Sequence, residues 1–449
     1  MKRRDFLKSG LVLAAGTSLA PGYSFSTLRK PEVLILGAGL AGLGAAYQCK
    51  KNGVSFTILE AQSRIGGRVF THSISEEDGL TVELGGEWIG ASHNVMQDLC
   101  QEFGLKLMDH TYDTALLMRG KYSKAGDWAF GSAYEKYEAA LEQARNFTVA
   151  EEKKIDKLDW WRYLRKMGLD ERDIELRELL DSTDFGETIR NVSAYAALSE
   201  YAWSSPKNEM DLWVEGGNSQ IIEKLADFAG RDHIHTGHKV SEVVQSGGKV
   251  RVVCSNGKSF TADKVVCTLP TNAISQIRWE PGLPPEKQDA LDALQYCRIM
   301  KTHVLFKERF WKMENFDMIT DTPAHYFFHC TKLQKSGKGV LTSYTTGDKA
   351  YLFSRMNKEQ KIRAVCDALE VPFGKVDEYV DKVVSYYWGN DPYTMGAYAI
   401  YDTDQWFTLL PALQKHYKHI HFAGEHVAEW QGFMEGAVIT GFEAVSEFL

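Results

Sequence analysis

No Cys-x-x-Cys pair occurs in the 449-residue chain, and its seven cysteines (Cys49, Cys100, Cys254, Cys267, Cys297, Cys330, Cys366) are scattered and odd in number. That pattern excludes a disulfide framework and a cysteine-based zinc site. Cys267, inside the apolar run Val265 to Leu269, reads as a small buried hydrophobe. His-Glu-x-x-His spacing is also missing. The histidines do group, as His233, His235, His238 and as His416, His419, His421, but the second group enters a strand, where alternation reads as one buried and one exposed face. No metal is expected. There is no block of five like charges, and a net charge of −8 with pI near 5.9 offers no general attraction to nucleic acid or anionic lipid. Repeats and low-complexity tracts are absent. No apolar tail precedes Leu449, and the run Leu11 to Ala20 is too short to span a bilayer, so no stable membrane anchor is expected. What is present, 44% hydrophobic and 25% charged residues, suits a folded chain with a large core in two domains.

The N-terminus reads as an address. Lys2-Arg3-Arg4-Asp5-Phe6-Leu7-Lys8 precedes that short apolar run, with small residues at Ser18 and Ala20 before Pro21. The alternative is the basic start of a general secretory signal, but the Phe-Leu-Lys continuation resembles a twin-arginine signal. That resemblance implies a bacterial protein exported folded to the periplasm or medium, and residues 1–25 are set apart from the fold.

The most informative stretch follows. The strand Val33-Leu34-Ile35-Leu36 runs into Gly37-Ala38-Gly39-Leu40-Ala41-Gly42, and Glu60 ends a second apolar strand 18 residues after Gly42. Gly37 allows a tight turn, Gly39 lets backbone N–H groups approach a pyrophosphate at a helix N-terminus, and Gly42 lets that helix pack on the sheet. Glu60 can accept hydrogen bonds from both adenosine ribose hydroxyls and disfavours a 2′-phosphate. A glycine triplet alone is a flexible turn; strand, Ala-rich helix and acid together make a dinucleotide site. Next, Ile65-Gly66-Gly67-Arg68-Val69 lays a further stretch of backbone beside the cofactor.

At this point the chain resembles the flavin-containing amine oxidase family. The resemblance recurs in Glu83-Leu84-Gly85-Gly86-Glu87-Trp88-Ile89-Gly90, in Glu215-Gly216-Gly217-Asn218, in Val265 to Pro270, in Lys301, in Trp388 with Tyr398, and in Phe422-Ala423-Gly424-Glu425-His426 running on to Trp430-Gln431-Gly432-Phe433-Met434-Glu435-Gly436-Ala437. It implies FAD, held by Gly37, Gly39, Gly42, Glu60, Gln62, Gly67, Arg68, Gly85, Gly86, Glu87, Trp88, Val240, Gly424, Glu425, Trp430 and Met434. A family cysteine that anchors the flavin covalently is Ala397 here, so the FAD is expected to be non-covalent.

The pattern of elements divides the chain. β-α-β and a glycine-rich loop fill 31 to 100. Charged helical stretches run from about 125 to 205, at Ala133 to Arg145, Glu151 to Met167 and Asp170 to Leu180. Short strands follow a helix at Ser219 to Phe228, with a hairpin turn at Asn256-Gly257. Strands are expected at Met300 to Phe306, Val340 to Thr345 and Val383 to Trp388, with a helix at Lys358 to Leu369. The expected class is α/β: a Rossmann-like FAD domain built from discontinuous segments 31–100, 215–299 and 399–449, plus an α+β substrate domain with a helical insertion, from 101–214 and 300–398.

Lys301 sits in a strand with apolar residues on both faces, so it must reach solvent or point into a polar cavity. The resemblance makes it the active-site lysine that holds a water at flavin N5, where a cation favours negative charge on reduced flavin and oxygen. It also implies that Trp388 packs against the flavin and that Tyr398 and Phe433 form an aromatic cage orienting a neutral amine; monoamine-type members often carry tyrosine at the Phe433 position. The alternative for these rings is core packing. The implied reaction is oxidation of a C–N bond to an imine by hydride transfer to N5, with O2 returning hydrogen peroxide. A primary amine or polyamine is favoured over an α-amino acid, because the Gly85-Gly86-Glu87-Trp88 stretch lacks the arginine that would clamp a carboxylate, although Arg119, Arg190 or another residue of the helical insert could serve. L-amino-acid oxidation, a flavin-dependent desaturase or isomerase, and a non-catalytic flavoprotein are the alternatives. The expected partners are a small amine and O2, with room for a homodimer.

Overall fold

A computed structural model describes residues 30–449; the proposed export signal lies outside the described residues. Two sheets organise the chain. In the first, five parallel strands lie in the order Ile420–Phe422, Lys264–Cys267, Val33–Leu36, Phe56–Leu59, Ile234–His235. Their side chains alternate between two cores, as strand geometry requires. Val33, Ile35, Ile58 and Val266 pack with the helices Leu40–Lys51, Ser219–Ala229 and Met434–Ser446. Leu34, Leu36, Val265 and Cys267 face Val243, Val252 and Ile274 on the other side, where a four-stranded sheet covers them. The outer helices cross closely: a Cβ on Gly441 would lie 2.2 Å from the Ala41 carbonyl oxygen.

The second sheet has seven strands, in the order Val380–Tyr387, Ile299–Phe306, Gly339–Thr346, Tyr326–His329, Phe316–Thr320, Asp113–Met118, Lys121–Ser123. The strand Ile299–Phe306 is buried throughout. Met300, Val304 and Phe306 pack against the helix Lys358–Phe373 side, while Ile299 and Leu305 face the opposite core, which includes Tyr344 and Trp388. Lys301 shares the second parity.

Residues 134–203 form five helices, Tyr134–Ala144, Val149–Asp156, Trp160–Met167, Glu171–Phe185 and Ala194–Trp203. The single stretch expected over Glu151 to Met167 is broken at Asp159. Its extended backbone starts a new helix, and its carboxylate accepts the Arg162 N–H at 2.7 Å, a local capping bond that apolar periodicity does not register. The expected strand through Trp388 stops at Tyr387, and Trp388 opens a 3₁₀ turn. Asn256-Gly257 lies in the hairpin between Lys249–Cys254 and Ser259–Ala262, with Gly257 at φ +83°. Among the described residues no helix is long and apolar enough to cross a membrane.

Candidate active site

One long cavity runs from the glycine turn, between the two sheets, to the helical insert. At the turn Gly37 adopts φ +102°, and a Cβ on Gly42 would lie 2.0 Å from the Gly37 carbonyl oxygen, so the helix Leu40–Lys51 approaches its own turn to backbone contact. That helix begins at Gly39 without a side-chain cap, as does Met434–Ser446 at Phe433. Both N-termini therefore open onto the cavity with positive dipole ends, as a pyrophosphate requires. Glu60 accepts the Ala38 and Gln62 N–H groups at 2.8 Å each and still lines the cavity; burial raises its pKa. Gln62, Gly67 and Val240 line the same end. These residues fit a flavin adenine dinucleotide.

The middle of the cavity is braced by a part-buried ion pair. Arg68 donates from Nη1 to Glu425 Oε1 at 2.5 Å. Burial is the largest influence and opposes the charge on Glu425, but Arg68, His426 and the Gly432 N–H together hold the carboxyl below its ordinary value. Glu425 also accepts the Gly432 N–H at 2.9 Å and the Ala399 N–H at 3.2 Å. It thereby ties the chain beside Tyr398 to the chain beside Phe433. Gly85 packs so tightly that its Cβ would lie 1.9 Å from the Arg68 carbonyl oxygen and 3.1 Å from Trp388.

Lys301 points into this region and is 3% exposed. Trp388, 2% exposed, donates its indole N–H to the Leu84 carbonyl at 2.8 Å. The Tyr398 hydroxyl donates to the Asp184 and Thr183 carbonyls, and burial raises its pKa well above the ordinary value. Phe433 lies edge-on to His93, ring centroids 5.0 Å apart. Lys301, Trp388, Tyr398, Phe433, Gly39, Gly86, Gly424 and Met434 all line the cavity, as does Trp88. Gly42 stands behind the turn, and Trp430 packs edge-on behind Phe433, 5.7 Å between centroids, outside the lining. No cysteine lines the cavity among the described residues, and Ala397 does.

The far end holds residues that no local motif marked. Thr183, Asp184 and Glu200 come from the helical insert, and Asn208, Glu209 and Met210 from the loop after it. Tyr344 stands opposite Lys301 across the strand pair. Burial, followed by the neighbouring Asp181, pushes the Asp184 carboxyl up to about 7, and Tyr201 donates to it at 2.7 Å. Only the pairing of distant segments brings these groups together. Away from the cavity, the stacked rings of His416 and His421 approach Glu447, with three ligand-type atoms within 4.8 Å of one another; His421 Nδ1 is already engaged by Glu447 Oε2 at 2.5 Å.

The family model described as flavin containing amine oxidoreductase matches residues 40–449. The chain belongs to that family. It is a flavin-containing amine oxidoreductase by family, and the glycine turn, Glu60 and the two helix N-termini are the parts of this chain that suit FAD. It is similar to a probable flavin-containing monoamine oxidase A of Dictyostelium discoideum, 26% identical, covering 93% of this chain and 97% of that protein. An L-amino-acid oxidase of Echis ocellatus is also 26% identical, covering 94% of this chain and 89% of the other. The fold is that of cyclohexylamine oxidase from Brevibacterium oxydans IH-35A, with TM-score 0.84 at 21% identity, covering 94% and 99% of the two chains.

Proposed function

We propose that this member of the family oxidises a primary amine or a polyamine, with O2 as the acceptor and hydrogen peroxide as product. The supporting observation is the charge of the substrate end. Asp184, Glu200 and Glu209 line it, whereas the single arginine in the lining, Arg68, is spent on Glu425. Arg119 pairs with Glu175 at the surface, and Arg190 lies over Trp161, 3.8 Å from the ring centroid; neither lines the cavity. A substrate carboxylate would meet acids without a bidentate partner, while an ammonium would meet complementary charge.

FAD, when bound, supplies the acceptor for the hydride equivalent. The chain's own residues do the rest. Tyr398 and Phe433, which both line the cavity, would hold the reacting amine by position, and Tyr398 is fixed by its hydroxyl's bond to the insert.

The test is anaerobic bleaching of the flavin absorbance by monoamines, diamines, polyamines and L-amino acids, followed by air. Bleaching by amines with peroxide on reoxidation is expected. Bleaching by amino acids alone would overturn the proposal.

A pH dependence follows from Asp184. Its carboxyl, pushed up to about 7, is neutral below that pH and anionic above it, so attraction for a second ammonium on the substrate appears as pH rises through 7. For a diamine, kcat/KM is expected to rise about tenfold more across this range in the wild type than in Asp184→Asn, corresponding to about 1.4 kcal/mol. For a monoamine the two profiles should coincide. Identical diamine profiles would remove Asp184 from substrate recognition.

A further inference from the structure

An ammonium has three hydrogens to donate, and at Lys301 each has a protein acceptor. Nζ lies 3.1 Å from the Glu83 carbonyl oxygen, 2.9 Å from the Gly85 carbonyl oxygen and 2.5 Å from Glu87 Oε2. The Lys301 and Glu87 side chains are 4% and 2% exposed, so water screens the pair little. Glu87 is itself held on two sides. Asn218 Nδ2 donates to its main-chain oxygen at 2.6 Å, and His110 Nε2 lies 3.3 Å from Oε1, with the Tyr112 hydroxyl 3.1 Å behind. Burial is the largest influence and opposes the Glu87 charge, but Lys301 and His110 together hold the carboxyl below its ordinary value. Burial pushes the His110 imidazole below its ordinary value, against the pull of Glu87. The other acid near the ammonium is Glu83, which accepts from Asn218 N, Trp213 Nε1 and Thr71 Oγ1. Burial pushes its carboxyl up to about 7.

The lysine expected to offer a free charge and a water-holding N–H to the flavin is thus engaged on both counts. We propose that Glu87 is the counter-ion of Lys301, a positioning residue that locks the ammonium into the cavity wall and cancels its charge, with His110 holding the carboxylate in place. A flavin bound in this cavity would then face a neutral ion pair. Negative charge arising on the reduced cofactor gains less from this site than from a lone cation at the same distance. The assignment rests on Lys301 being the flavin-facing residue of the amine oxidase reading. It does not depend on which amine is the substrate.

The experiment uses FAD-loaded wild type, Glu87→Gln and the double variant Glu87→Met with Lys301→Met, at pH 6, below the value of about 7 to which burial pushes Glu83. Two properties other than turnover are read: the flavin midpoint potential, and the affinity for sulfite, an anion that adds to oxidised flavin and leaves it carrying negative charge. Glu87→Gln keeps an oxygen for Lys301 while removing the opposing charge. It is expected to reduce at a more positive potential and to bind sulfite about tenfold tighter or more, as an uncompensated buried charge would give. The double variant, neutral like the pair it replaces, is expected to stay within about threefold of wild type on the same electrostatic grounds. A Glu87→Gln protein indistinguishable from wild type would overturn the proposal. So would a double variant whose sulfite affinity drops about tenfold, because Lys301 would then be acting as a free cation. If Glu87→Gln fails to retain FAD, the double variant decides alone. Amine bleaching is scored separately: amines that bleach every variant with unchanged sulfite affinities sink the counter-ion only, and a sulfite shift without amine bleaching sinks the substrate reading only.

Discussion

Replacing Glu425 by alanine is expected to cost about 3 kcal/mol of unfolding free energy, the low end of the range for breaking a buried ion pair from one side, because the Arg68 side chain stays 21% exposed. Arg68 would lose its 2.5 Å partner in a site where burial already disfavours its charge. The damage should reach the chemistry, because the same carboxylate receives the N–H groups of Ala399 and Gly432, the neighbours of Tyr398 and Phe433. Without that brace the two rings have no common anchor, and kcat/KM for the best amine is expected to fall about a hundredfold or more, the scale on which misplacement costs rate. Urea denaturation of the FAD-loaded protein reads the first effect, and steady-state kinetics on the folded fraction the second. Stability lost with kcat/KM intact would show that Glu425 braces the fold without setting the cage.

Gly42→Val is expected to yield protein that folds but holds FAD weakly. The first atom beyond Cα would already overlap the Gly37 carbonyl oxygen, at 2.0 Å, and stand 3.2 Å from Thr268 Oγ1. Because the contact is with backbone and not with the flexible end of a side chain, relief must come from moving the helix Leu40–Lys51 or the turn. Either movement pulls the helix N-terminus off the pyrophosphate. Overpacking of this kind costs about 1–3 kcal/mol, which passed to the cofactor equilibrium weakens FAD binding by up to about a hundredfold. Titration of the apoprotein with FAD, followed by quenching of flavin fluorescence, measures it. Wild-type affinity would mean that the turn relaxes without moving its N–H groups.

These two positions show different degrees of legibility in the sequence. Gly42 was readable because strand, turn and helix are contiguous in the chain, so spacing alone encodes the contact. Glu425 was named through the family resemblance, but its brace between Ala399 and Gly432 depends on segments that lie 26 and seven residues away along the chain. Glu87 and Trp430 show the limit more sharply. Both sit in segments resembling cofactor-binding ones, yet Glu87 lines the cavity with its carboxylate paired to Lys301, whereas Trp430 stands behind Phe433 outside the lining. A motif identifies the segment and not the direction in which each side chain leaves it.

The sequence by itself determined the dinucleotide turn, the acid at its end, the α/β class and, through recurring motifs, the flavin family, since each is carried by residues close together in the chain and by periodicity that burial enforces. The tertiary structure decided the acidity of the substrate end and the partner of Lys301. Asp184, Glu200 and Glu209 reach the cavity from helices and a loop without a local signature, and Lys301 meets Glu87 across 214 residues. The physical reason is that charge complementarity and pKa depend on distance and burial in space, and neither exists until the two sheets and the helical insert close around a common cavity.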